Sequence, residues 1–265
     1  MKTEQRNHRV RMIVWRCMLC MSFFILHSSF FMAKVHAVSK AEADSAYAHQ
    51  HYQQAINAYE SLLKEGVSAD LYYNLGNAYY RSENITRAII NYERALLLSP
   101  GDGDIRHNLQ LARQKTIDKI TPQSEFFIVT WWRSIASMMS VDSWAWVSLV
   151  ALAIGLVLML LYLFSPRIAL QKTGFFGTLV MLAVFLFSTL FAWQQKQRLT
   201  NRTGAVVITS AVTVRSTPAA NGTELFVLHE GTRIDITDDS MKDWKAVRLP
   251  DGKEGWMESK EMEVI

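Results

Sequence analysis

The sequence predicts a multidomain membrane protein built from an α-helical repeat domain, a two-helix transmembrane hairpin and a small all-β barrel. Three observations carry this expectation. Small and apolar residues recur at fixed offsets between Ala69 and Pro100, as in stacked helix pairs. Two apolar runs without a charge follow, Trp144–Phe164 and Gly174–Trp193, each long enough to span a bilayer core. From Gly204 onward short β-branched runs alternate with turn signals, the texture of a compact β module.

The leader comes first in the chain. Residues 1–37 hold six Lys/Arg and one Glu, a net +5, so the remainder of this +4 chain is near −1. No basic stripe is left for a folded nucleic-acid surface, and no nucleic-acid partner is expected. Lys2, Arg6, Arg9, Arg11 and Arg16 precede the apolar run "CMLCMSFFILHSSFFM", and Val35-His36-Ala37 supplies a small-residue cleavage site. Residues 1–37 therefore read as a signal peptide cut after Ala37, and an uncleaved anchor would export the chain equally. Cys17 and Cys20, the only cysteines, lie in this leader. No strand–turn–helix follows them to make a redox motif, and the mature chain would have no thiol for a disulfide.

The repeat domain is placed at residues 38–121. With Ala69 as position 1 of a 34-residue unit, Tyr72, Leu75, Gly76 and Tyr79 fall at positions 4, 7, 8 and 11, and Ala88, Tyr92, Ala95 and Pro100 at 20, 24, 27 and 32. This is the tetratricopeptide (TPR) pattern at all eight positions. Gly76 and Ala88 are small where two helices approach closely, Tyr79 and Tyr92 fill the space beside them, and Pro100 stops the second helix. A weaker copy spans about residues 36–68, with Ala55, Ile56, Tyr59 and Glu60 offset by 33 from Ala88, Ile89, Tyr92 and Glu93. The second copy covers about 69–102, and a capping helix is expected over about 103–117. Two repeats and a cap are marginal alone, because each unit buries its face on a neighbour.

The groove face of such a repeat is lined by its first helices. The partner-binding candidates are Tyr47, Tyr73, Asn77, Tyr80, Arg81 and His107, since Tyr and Arg anchor interfaces well. An ordinary solvated helix face is the alternative. Tyr79 and Tyr92 should hold the helix pair together, leaving Tyr73 and Tyr80 to meet a partner. Asp44 and Asp104 stand where a carboxylate clamp would need basic residues. "GDGD" at 101–104 reads as an inter-repeat turn, since it lacks the alternating ligands and final Glu of a calcium loop.

Residues 122–143 form a linker with an aromatic stretch, "SEFFIVTWWRSIASMMS", in which Phe127, Trp131, Ile135 and Met138 recur at helical spacing. A helix lying in the membrane interface is expected, or one packed under the repeat domain. Transmembrane helices follow at 144–164 and 174–193, joined by a cytoplasmic loop at 165–173. Neither span has a charged residue, which argues against a proton relay, a channel or a transporter. Export of the leader places the repeat and β domains on the periplasmic side of the inner membrane. Loop charges do not favour this: Arg167 and Lys172 lie inside, against Lys196, Arg198 and Arg202 outside.

Residues 204–265 form the β module. Val214-Arg215-Ser216, the turn Leu228–Gly231 and Gly255-Trp256 resemble the bacterial SH3-like (SH3b) family, which implies a small barrel that contacts a protein or cell-wall peptidoglycan. Its seven Lys/Arg against eleven Asp/Glu, a net −4, disfavour anionic ligands. No phosphate-binding loop, nucleophile elbow or zinc-protease motif occurs. His49 and His51, two apart, should face apart on a helix. No catalytic residue, cofactor or metal site is expected.

The order of leader, two repeats with a cap, aromatic segment, hairpin and SH3b module, with "DIRHNLQLARQK" and "WWR" before the spans, resembles the BatE-like TPR proteins of Bacteroides aerotolerance (Bat) operons. The resemblance implies a non-enzymatic envelope scaffold. It also implies Bat partners with von Willebrand factor A domains, a MoxR-type AAA ATPase, and a role in stress or oxygen tolerance.

Overall fold

The computed structural model describes residues 39–265, and the expected signal peptide at 1–37 lies outside the described residues. Five helices form the repeat domain: α1 (Lys40–Ala48), α2 (Tyr52–Glu65), α3 (Ala69–Arg81), α4 (Ile85–Leu98) and α5 (Gly103–Gln114). Their starts are set by side-chain caps. Ser68 accepts from the Leu71 amide, Asn84 from Arg87, and Asp102 from Asp104 and Ile105, satisfying amides that have no helical partner. Gln50 and Glu83 both adopt positive φ, 63° and 64°. They occupy equivalent turns one repeat apart, so the repetition extends to an uncommon backbone conformation.

The tyrosine predicted to fill the helix pair does so against Gly76. A Cβ there would stand 2.7 Å from two ring carbons of Tyr92. Tyr59 and Tyr92, one per repeat, are both fully buried.

After α5 the chain crosses the β module. Ile120 packs on the β core, the Gln123 amide donates to the Pro250 carbonyl at 3.0 Å, and its side chain donates to the Asp251 carbonyl at 2.8 Å. Three helices follow, α6 (Phe127–Ala136), α7 (Val141–Phe164) and α8 (Ile168–Asn201). The last two, 24 and 34 residues, are long and apolar enough to cross a membrane. Their connection is Ser165–Arg167, shorter than the nine-residue loop expected. Pro166 breaks the chain once, but "IALQKT" holds no further breaker, so α8 starts before its apolar run and continues past it. Gly174 lets the spans meet, since a Cβ there would lie 2.7 Å from the Leu158 oxygen and the Tyr162 nitrogen.

The β module has seven antiparallel strands: β1 (Gly204–Val207), β2 (Ala211–Arg215), β3 (Glu224–His229), β4 (Arg233–Asp238), β5 (Trp244–Arg248), β6 (Glu254–Glu258) and β7 (Met262–Val264). Their order is β3-β2-β6-β5-β4-β1-β7. The expected barrel is therefore corrected to an open sheet with β3 and β7 as edges. Pairing between β2 and β6 is reduced to Arg215 opposite Trp256, and a register shift at Val214/Arg215 bends β2 away, as bulges do.

Strand β1 joins the two domains. Ala205 and Val207 face the sheet's own core, while Val206, between them, lies in one cluster with Ile89, Ile90, Tyr92 and Ile105 of the repeat. Side chains alternate across a strand, so β1 is buried on both faces, and the uninterrupted apolar run "AVVI" reflects this. Ile265 joins the same cluster. The β module thus supplies the neighbour that a two-repeat array needs.

Candidate functional site

The groove candidates lie on α1, α3 and α5, and a recurring polar clasp holds them. In the first repeat, Asp44 on α1 accepts from the Tyr59 hydroxyl at 2.6 Å and from Asn74 of the next first helix at 3.4 Å. In the second, Asn77 on α3 accepts from the Tyr92 hydroxyl at 2.7 Å and from Asn108 on α5 at 2.9 Å. Asp44 and Asn77, Tyr59 and Tyr92, and Asn74 and Asn108 are the same positions one repeat on. Burial first, and the hydrogen bond to Asp44 second, push the Tyr59 hydroxyl well above its ordinary pKa. Burial does the same to Tyr92, reinforced by the neighbouring Tyr73. Both stay protonated and donate.

This clasp divides the candidates. Tyr73 is not free: its hydroxyl accepts from Asn108 at 3.0 Å and its ring lies 6.1 Å from that of Tyr92. Asn77 is likewise consumed internally. These two hold the groove floor. Tyr47, half-buried, packs edge-on against Tyr52 at 5.7 Å. Tyr80 presents one ring face to the Lys115 ammonium 4.4 Å away, a cation–π contact. Arg81 and His107 are exposed. The candidates left on the outer side of the clasp are therefore Tyr47, Tyr80, Arg81 and His107, with Lys115 beside Tyr80. Sequence reasoning missed Lys115 and Asn108. The repeat offset linking Asn74 to Asn108 was the available signal for the latter; Lys115 carried none, because it follows the end of α5.

Behind the groove, ion pairs tie α4 to the β module. Glu263 pairs with Arg87 at 2.6 Å and Arg94 at 2.9 Å, and buried Glu93 pairs with Arg113 and, at 3.8 Å, with Arg233. Asp118 accepts from the His229 amide at 2.7 Å, the His229 ring at 2.9 Å and the Thr232 hydroxyl at 2.7 Å. Gly231, at φ 82°, brings the β3–β4 turn against α4: a Cβ there would meet Thr116 at 2.7 Å and Ile89 at 3.3 Å. A cleft of about 490 Å³ opens beside this junction, lined in part by Asn84, Lys115, Ile117 and Glu230.

His49 and His51 do not sit on one helix as expected. They flank Gln50 in the α1–α2 turn, with rings 6.4 Å apart and nearly parallel. Positive φ at Gln50 reverses the chain and brings them together. Among the described residues, no group of three or more His, Cys, Asp or Glu is placed to hold a metal ion.

These two folded parts define a chain of interaction-type domains. Residues 40–103 match the family described as a tetratricopeptide repeat, and residues 210–263 match the bacterial SH3 domain. No curated protein shows a significant match to the chain. Domains of these two types serve protein-interaction or peptidoglycan-binding roles and are typically non-catalytic.

Proposed function

We propose that the protein is a membrane-anchored, non-enzymatic scaffold that holds a protein partner in the TPR groove, with both folded domains on the periplasmic side of the inner membrane. The observation that carries this reading is the polar clasp beneath the candidate face. The floor of the candidate groove is locked by the Tyr92–Asn77–Asn108 clasp, so half-buried Tyr80 and exposed Arg81 are held ready rather than ordered on binding, which lowers the cost of association. The resemblance to BatE-like proteins points to Bat-family von Willebrand factor A proteins and a MoxR-type ATPase as partners, in stress or oxygen tolerance.

Pull-down from solubilised membranes should recover a specific protein, and Tyr80→Ala with Arg81→Ala should lose at least about tenfold of it, since two interface anchors of this kind are worth more than 1 kcal/mol each. Unchanged recovery would remove the groove assignment. A reporter fused after Ile265 should be active only outside the cytoplasm, and cytoplasmic activity would reverse the topology.

The SH3-type match favours a second reading, a peptidoglycan anchor or sensor. Since Val206 and Ile265 share a core with the repeat domain, the full chain is the right probe. Absence of co-sedimentation with purified sacculi would eliminate this reading.

A further inference from the structure

Helix α6 has an apolar surface wider than the contact it makes. At about 3.6 residues per turn, Thr130, Arg133 and Ser134 share one arc of the helix, and the other positions from Phe127 to Ala136 are all apolar. Only part of that apolar arc is packed. The Trp132 ring lies 4.8 Å from Phe191 on α8, its indole donates to Gln194 at 3.2 Å, and Ala136 is buried. Beside this contact Phe127 is 77% and Trp131 63% exposed, and Phe126 before the helix is 83% exposed. A contiguous exposed apolar patch of this kind marks a contact surface.

The position of α6 identifies what that surface meets. The Trp144 indole donates to the Ala136 carbonyl at 3.0 Å, its ring lies 4.9 Å from Phe191, and Gln195 donates to the Met139 carbonyl at 2.7 Å. These contacts hold α6 and the α6–α7 elbow where both apolar helices end, against Gln194 and Gln195, the first residues past the run Gly174–Trp193. Trp146 on α7 and Trp193 on α8 stand two residues from Trp144 and Phe191, about 3 Å of helix rise, and both are exposed, 68% and 59%. Three helices thus each present an exposed tryptophan at one level. A protein partner would cover one of these faces. A bilayer interface accounts for all three, because indole rings settle at headgroup level, and the apolar arc of α6 continues the exposed apolar surface of the spans.

We propose that α6 is a lipid-binding surface lying in the interface of the leaflet that faces the folded domains, with Phe127 and Trp131 among the acyl chains and Thr130, Arg133 and Ser134 toward the headgroups. The segment between the repeat domain and the spans is then a support and not a loose tether. The repeat domain rests on it through Gly101 in the α4–α5 turn, where a Cβ would stand 2.9 Å from the Met138 carbonyl carbon of the elbow. This inference rests on the membrane-spanning reading of α7 and α8.

The test uses the full chain with Cys17→Ser and Cys20→Ser, reconstituted in phosphatidylcholine vesicles. Single nitroxide labels are placed at Phe127→Cys, Trp131→Cys, Thr130→Cys or Ser134→Cys, with Leu156→Cys as the control within the first span. Electron paramagnetic resonance then compares collisions with oxygen, which concentrates in lipid, and with a water-soluble nickel chelate. Labels at 127 and 131 should favour oxygen and lie about 5–10 Å below the headgroups, whereas those at 130 and 134 should favour nickel. Nickel access at 127 and 131, with oxygen dominant at 156, overturns the interfacial helix and leaves the spans intact. Exclusion of both reagents at 127 and 131 shows a covering protein segment and overturns the lipid assignment. Nickel access at 156 overturns the membrane reading, and this inference with it.

Discussion

Asp118 follows the capping helix, and its carboxylate takes three hydrogen bonds from residues more than a hundred positions away. Burial alone would raise its pKa, but the donors Thr232 and His229 outweigh it and hold the carboxyl below its ordinary range. A carboxyl depressed on folding stabilises the native state above its unfolded pKa, near 3.8, and loses that contribution as pH falls through the folded value. Urea unfolding at a series of pH values should therefore show a fall in stability below about pH 4. Asp118→Asn should lose about 1–3 kcal/mol at neutral pH and flatten the response in that acidic window. An unchanged acid limb in the variant would show that the clasp contributes nothing. Nothing local marks Asp118 in "KTIDKITP", because its partners are set only when the β3–β4 turn arrives. Gly76 is the opposite case: its spacing to Tyr92 reveals both partners of a contact within one helix pair.

At the scale of elements, helix existence was legible and helix ends were not. The apolar runs mark two spans, but α8 begins and ends in polar sequence because hydrogen bonding propagates until a breaker intervenes. Small residues let the two apolar helices of the hairpin approach closely, and in a bilayer, which offers no hydrophobic drive between helices, such packing would hold them together. Gly174→Val should push α8 off the Leu158–Tyr162 backbone and cost about 1–3 kcal/mol, as overpacking does. The readout is a lower thermal midpoint in detergent. Gly66→Ala is the control: a Cβ there meets nothing within 4 Å, so a comparable loss would show that the effect is not packing. Strand β1 was legible as an apolar run, though its second face was not assigned to the repeat.

For the whole molecule, the repeat domain and the β module share a core through Val206 and Ile265 and a set of ion pairs on α4. Val206→Ala should cost about 2 kcal/mol, the transfer and cavity cost of two buried methyls. Hydrogen exchange should report the loss in α4 and in β4 together. Loss of protection in β4 alone would mean that the domains are stabilised independently. The same coupling ties the groove to the β module, because α4 carries Tyr92 on one side and Glu93 on the other.

The order of parts, the repeat register and the apolar spans were determined by sequence alone, because each depends on a short period that local chain geometry imposes. The exposed aromatic row before the spans was legible in the same way. Tertiary structure decided which tyrosines are structural and which are free, the open form of the sheet, and the docking of that sheet on α4. These arise from contacts between residues far apart in the chain, and no local period encodes them.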